Sequence, residues 1–248
     1  MSNRSPEKRL VLVTGGTRGL GLAITRRLIA EGYHVVAASR RGSPELTALQ
    51  GAHAPGTVDY EPVDLARHDR LHGFVREVTQ KYGPLYGLVN NAAVGYNGVL
   101  ATMHESQISE LMAINLTGTI ILTKYALRSM LLQRSGRVIN VASIIAFTGF
   151  NGLSVYAATK AGLMGFTRSL AREVGKAGIT VNAIAPGYME TDMTASIAAE
   201  DLERIRRRSP LHRLPHPEDV AGAVAYLVGP DGASVTGTTV TVDAGSTA

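Results

Sequence analysis

At 248 residues, with 45 % apolar and 18 % charged side chains, the chain suits one large α/β domain and is too apolar for a disordered one. It has no Cys, which excludes a disulfide scaffold and cysteine-based metal or redox chemistry, and which fits a reducing, cytoplasmic setting. The formal charge of +5 is dispersed, without the aromatic interleaving or zinc spacing of a nucleic-acid binder, and the apolar run at 10–13 is too short for a signal core or a membrane span.

In chain order, residues 9–14 form a short apolar run of the buried parallel-strand kind. It leads into Thr14-Gly-Gly-Thr-Arg-Gly-Leu-Gly21 and then a helical pattern through Leu22, Ile24, Leu28 and Ile29. Strand, glycine turn and helix in that order make a phosphate cradle. Gly15 allows the tight turn, Gly19 lets a diphosphate approach backbone N–H groups, and Gly21 permits close helix–strand packing. The next strand, 34–39, ends in Ser39 followed by Arg40, where an NAD site places a carboxylate for the ribose 2′-hydroxyl. A guanidinium there forms forked, charge-assisted bonds to a 2′-phosphate, and Arg18 lies within reach, so the pattern predicts NADP(H). A short helix is expected at 45–50 and a third strand at 58–64. Asp64 either accepts from the adenine amino group or caps the helix from Arg67 to Tyr82. A fourth strand, 85–93, ends in Asn90-Asn-Ala-Ala93, small and amide residues suited to the cofactor edge of a sheet.

An apolar pattern through Ile108, Leu111, Met112, Leu116 and Thr119 predicts one long helix over 105–132, interrupted on its apolar face by Asn115, whose amide needs a partner. The fifth strand, 137–143, delivers Ser143 to the sheet edge. A helix follows from about Val155, placing Tyr156 and Lys160 one turn apart on the same face. An ammonium beside a phenol favours the phenolate, so the pair can give and take a proton near neutral pH. The apolar members of the intervening stretch, Ile144, Ile145, Phe147, Phe150 and Leu153, are expected to floor a pocket for a greasy substrate. Residues 179–185 form a sixth strand stopped by Pro186-Gly187. A polar helical flap is expected over 188–217, then a helix at 218–227 and a final strand at 238–243. The cluster Arg204, Arg206, Arg207 and Arg208 is either a solvated helix face or a patch for an anionic ligand. Strands alternating with helices imply a single Rossmann-like domain, a doubly wound parallel sheet flanked on both faces.

Together the glycine turn, Asp64, Asn90-Asn-Ala-Ala93, Asn115, Ser143, Tyr156-Ala-Ala-Thr-Lys160, Pro186-Gly-Tyr-Met-Glu-Thr-Asp192 and Val242-Asp-Ala-Gly245 resemble the short-chain dehydrogenase/reductase family over about residues 9–245, in particular its 3-oxoacyl-carrier-protein reductase type. The resemblance implies a catalytic set of Asn115, Ser143, Tyr156 and Lys160: Tyr156 as proton donor, Lys160 lowering its pKa, Ser143 holding the substrate oxygen and Asn115 keeping a relay water. It implies NADP(H) along Gly15, Thr17, Arg18, Gly19, Leu20, Gly21, Ser39, Arg40, Asp64, Leu65, Asn91, Ala92, Ala93, Tyr156, Lys160, Pro186, Gly187, Met189 and Thr191. Substrate is expected against Ser143, Ile145, Phe150, Tyr156 and Tyr188. It also implies reduction of a small-molecule or carrier-linked β-ketoacyl or polyketide-like ketone in a homotetramer, with no metal, nucleic-acid or membrane partner. A free sugar, steroid or small alcohol, or a non-catalytic dinucleotide sensor, are the alternative readings. Carrier docking in the family uses basic residues at the mouth of the site; here Arg134 and Lys176 stand beside Ala177, a position where a second basic residue is common.

Overall fold

The structure, a computed structural model, describes residues 8–189 and 199–248. Seven strands, β1 (Leu10–Thr14), β2 (His34–Ser39), β3 (Val58–Pro62), β4 (Leu85–Asn90), β5 (Gly136–Val141), β6 (Ile179–Pro186) and β7 (Thr239–Val242), form one sheet in the order β3-β2-β1-β4-β5-β6-β7. Every pairing is parallel, so all seven carboxyl ends share one edge. The helices are α1 (Gly19–Ala30), α2 (Pro44–Gly51), α3 (Leu71–Tyr82), α4 (Glu105–Leu111), α5 (Thr119–Gln133), α6 (Ile145–Thr148), α7 (Ser154–Val174), α8 (Ala199–Arg208) and α9 (Pro217–Val228).

Central strands β1, β4, β5 and β6 are buried along their whole length, which is why they read as continuous apolar runs. Alternate side chains feed two cores. On one face Leu12, Leu88 and Val138 pack under α3, α5 and α7 through Phe74, Leu122 and Leu170. On the other Val13, Val89 and Ile139 pack under α1 and α9 through Ile24, Leu28 and Val224. The order reverses between β1 and β4, the switch point at which such sheets leave a crevice. The doubly wound parallel sheet expected from the sequence is the observed architecture.

Three local differences matter for the site. The long helix expected at 105–132 is α4 and α5 joined by a π-helical segment, Met112–Gly118, that contains Asn115. Strand β3 stops at Pro62, and α3 starts only at Leu71 after a short turn at His68–Arg70. Asp64 therefore caps no α-helix: its carboxylate accepts from the Ala66 N–H at 3.0 Å, closing a local turn. Of the expected flap, residues 190–198 lie outside the described residues, and Thr191 with them.

Candidate active site

A cleft of about 2020 Å³ follows the carboxyl edge of the sheet. At β1 the glycine turn is held in conformations other residues resist: Gly15 has φ 66° and Gly19 φ 50°. A Cβ on Gly21 would lie 1.9 Å from the Gly15 carbonyl oxygen, whereas one on Gly19 would meet nothing within 4 Å. The turn is thus closed beneath and open above. The N-cap of α1, Arg18, contributes no capping side chain, and the first turn carries no acid. The uncapped N–H groups and the positive end of the helix dipole suit a diphosphate.

The ends of β2 and β4 brace this turn. Asn91 donates through Nδ2 to the carbonyls of Thr14 at 2.9 Å and Gly15 at 3.3 Å. Asn90 faces the opposite side of the sheet and bonds Asn140 at 2.8 Å and Thr123 at 2.9 Å, so of the two amides only Asn91 borders the cleft. Ser39 shares a 3.2 Å hydrogen bond with Thr17. Ser43 donates to the Thr17 carbonyl at 2.6 Å while its oxygen accepts from the Leu46 N–H at 3.0 Å, so one hydroxyl caps α2 and docks it on the glycine turn. The apolar pattern places α2 but not this tie; Ser43-Pro-Glu45 at the helix start is the signal that could have found it. Ser39, Arg40 and Arg41 line the cleft here, with no carboxylate at the end of β2. The residues present fit a dinucleotide whose ribose bears a 2′-phosphate.

At the far end stand Ser143, Tyr156 and Lys160. Ser143 follows β5, and the Ile144 N–H donates to the Pro186 carbonyl at 3.1 Å, fixing the loop to β6. Lys160 is 2 % exposed, and its ammonium donates to the Val141 carbonyl at 2.7 Å and lies 5.6 Å from the Tyr156 ring centre. Burial brings Lys160 down to about 8. Burial also pushes the Tyr156 phenol up to about 12; the hydrogen bond with Ser143 pulls it the other way, and Tyr188 adds to the rise. The lowered tyrosine pKa expected from Lys160 is therefore not what the structure gives. The ammonium is directed at the Val141 carbonyl, and desolvation of the phenolate is the largest influence on Tyr156. At neutral pH the phenol holds its proton.

Asn115 does not line the cleft. Its amide is spent on the backbone of Val94, accepting from the N–H at 2.8 Å and donating to the carbonyl at 2.9 Å, and it reaches Thr159 at 3.5 Å. It anchors the chain after β4 to the helix that carries Tyr156 and Lys160. The pocket floor also differs from expectation. Ile144 and Ile145 are buried against Ala185 with Leu153, Tyr156 and Tyr188 around them, but Phe150 is 54 % exposed and rests on Tyr188 with ring centres 5.6 Å apart. Phe147 is exposed and lies outside the cleft. The remaining expected residues, Leu20, Leu65, Ala92, Ala93, Pro186, Gly187 and Met189, all line it. Tyr96, Asn97, Asn151, Arg204 and Arg208 line it as well; the residues before Gly98 read only as a turn, with no pattern that marks a site.

A glycine turn under α1 and a Ser–Tyr–Lys group at the other end of one cleft define a dinucleotide-dependent oxidoreductase. The chain belongs to the short chain dehydrogenase family, whose model matches residues 9–202. It is 37 % identical over 241 residues to the 3-oxoacyl-acyl-carrier-protein reductase FabG of Vibrio cholerae, an overlap of 96 % of this chain and 97 % of that protein. It is 41 % identical to the 3-oxoacyl-acyl-carrier-protein reductase MabA of Mycobacterium avium, across 96 % and 89 % of the two chains. Among solved structures it superposes with a TM-score of 0.88 and 34 % identity on a tryptophan-substituted actinorhodin polyketide ketoreductase with NADPH, covering 97 % of this chain and 98 % of that one.

Proposed function

We propose that this protein is an NADPH-dependent ketoreductase that reduces a β-ketoacyl thioester or polyketide-type ketone to a secondary alcohol. The observation that carries the reading is the grouping of Ser143 and Tyr156 with the buried Lys160 ammonium, 5.6 Å from the tyrosine ring centre, at the opposite end of the cleft from a glycine turn flanked by Arg18 and Arg40. The reductase names of the relatives and the NADPH of the similar structure support the same reaction.

Gly15–Gly21, Ser39, Arg40 and Asn91 to Ala93 would hold NADPH, which would supply hydride for the carbonyl carbon. Tyr156 gives its proton to the carbonyl oxygen, and the Ser143 hydroxyl donates a second hydrogen bond to that oxygen, stabilising its alkoxide character. Lys160, charged below about pH 8, holds positive charge beside the phenol as the proton leaves. Asn115 acts through position, clamping Val94 to the helix bearing the catalytic pair. Ile145, Phe150 and Tyr188 give the substrate an apolar seat, which favours an acyl chain over a sugar.

The test is NADPH oxidation with a β-ketoacyl thioester. Tyr156→Phe, which keeps the ring and removes the proton, should lower kcat by about 10²–10⁴-fold with little change in KM. Turnover only with free sugars or alcohols, or an active Tyr156→Phe variant, would sink the proposal. A homotetramer in the cytoplasm completes the reading. It is supported by exposed apolar side chains on the π segment and α5, Met112, Leu131 and Leu132, and by the absence of cysteine, and a mass in solution other than four chains would refute the assembly.

A further inference from the structure

Asn115 holds Val94 and the helix of the catalytic pair, and Asn115 is itself placed by the π-helical segment Met112–Gly118. A π turn shifts the helix ladder by one residue, so a carbonyl of the segment is open to a partner from outside the helix. Here a side chain is that partner. His68, in the short turn before α3, sets its Nε2 3.0 Å from the Ala113 carbonyl oxygen. A carbonyl only accepts, so Nε2 carries the proton and donates it. We propose that His68 is a positioning residue for the proton transfer: it ties the loop that walls the dinucleotide end of the cleft to the π segment, and so fixes Asn115 and the backbone of Tyr156. The inference rests on the ketoreductase reading above, with Tyr156 as proton donor.

The connection runs bond by bond from one end of the cleft to the other. Asp64 and Leu65, just before His68, line the cleft. His68 donates to Ala113, which shares the π segment with Asn115. Asn115 is 1 % exposed, and its Nδ2 reaches the Thr159 hydroxyl at 3.5 Å. That hydroxyl, fully buried, donates to the Tyr156 carbonyl at 2.7 Å. The loop also meets the segment at a second point, where a Cβ on Gly118 would stand 2.3 Å from the Leu65 carbonyl oxygen. That approach is steric: it stops the two from moving closer, but it does not stop them from parting. The hydrogen bond of His68 resists parting, and so the two contacts together set one spacing. Among the described residues the His68 ring forms no ion pair and no aromatic contact, so its polar role is this carbonyl.

The experiment compares wild type with His68→Phe, which keeps a ring and loses the donor, and His68→Gln, whose amide nitrogen takes the place of the imidazole Nε2. Arg70→Gln, on the same turn but turned to solvent, is the control. The probe is the N-acetylcysteamine thioester of a 3-oxoacyl group, with NADPH. His68→Phe should lower kcat roughly three- to tenfold, as the loss of one hydrogen bond does, with the KM for the ketone and the affinity for NADPH held. His68→Gln should recover most of the loss, and Arg70→Gln should match wild type. The solvent deuterium isotope effect on kcat should rise in His68→Phe, because a displaced phenol slows its own proton transfer. Combined with Asn115→Ala, His68→Phe should cost less than the product of the two single losses, since both break one chain. Losses that multiply, an isotope effect that stays put, or a kcat that His68→Gln does not restore would each overturn the proposal. Should His68→Phe fail to fold, His68→Asn, whose amide stops short of the carbonyl, takes its place beside His68→Gln. If wild type reduces no ketone, the ketoreductase reading fails and the tie has no proton transfer to serve. If wild type turns over and His68→Phe matches it, the tie alone fails.

Discussion

Tyr156 and Lys160 show what four-residue spacing reveals and what it hides. Their shared helix face was legible because a helix period is local. The direction of their proton affinities was not, because it depends on the Val141 carbonyl and on burial supplied by β5 and β6. For the same reason the partner of Asn115, the backbone of Val94, could not be named from sequence. Lys160 lies at about 8 in the folded chain against 10.5 for the free side chain, so between those values the unfolded chain binds more protons and stability rises with pH. Below about pH 8 both states are charged and the desolvation cost of the ammonium is fully present. Tyr156 acts in the opposite sense, but only between 10 and about 12. Lys160→Met should accordingly lose the rise in Tm between pH 8 and pH 10 that wild type shows by scanning calorimetry. An identical slope in both proteins would mean that Lys160 is not the titrating group.

At the scale of elements, the alternation of strands and helices was readable from apolar runs and glycine turns, and each expected strand is present with ends shifted by at most a few residues. The π-helical segment Met112–Gly118 was invisible, since inserting one residue into a turn leaves an apolar pattern that still passes for an α-helix. Its last residue ties it to the cleft. A Cβ on Gly118 would stand 2.3 Å from the Leu65 carbonyl oxygen and 3.0 Å from that of Ala113. The helix backbone comes this close to the loop after β3, and Leu65 in turn is a wall of the cleft. Gly118→Ala should lower stability by about 1–3 kcal/mol, as overpacking does, and weaken NADPH binding by displacing Leu65, without touching Tyr156. Denaturant midpoints and a fluorescence titration of NADPH test both halves. A destabilised variant that binds NADPH normally would break the link between the π segment and the cleft.

For the whole molecule, the sheet class followed from composition and alternation, but the strand order did not: parallel βαβ units add to either side of β1, and sequence does not say where the order reverses. The site is assembled by that order, which sets Asn91 against Gly15 and Pro186 against Ile144 from distant parts of the chain. One such long-range contact joins Gly187 to the segment after β7. A Cβ on Gly187 would lie 2.7 Å from that of Asp243, so the wall carrying Tyr188 rests directly on this aspartate. Asp243 is in turn held by the N–H groups of Gly245 at 2.9 Å and Thr247 at 2.9 Å and by the hydroxyls of Ser246 and Thr247. Burial pushes its carboxyl up, but these donors outweigh it and keep the group ionised. Ser246 and Thr247 are thus a latch for the substrate pocket, although neither lines it. Loosening that latch is a way to alter substrate affinity from outside the pocket: a Ser246→Ala/Thr247→Val double variant should raise the KM for the ketone while NADPH affinity holds, and an unchanged KM would show that the wall does not depend on it.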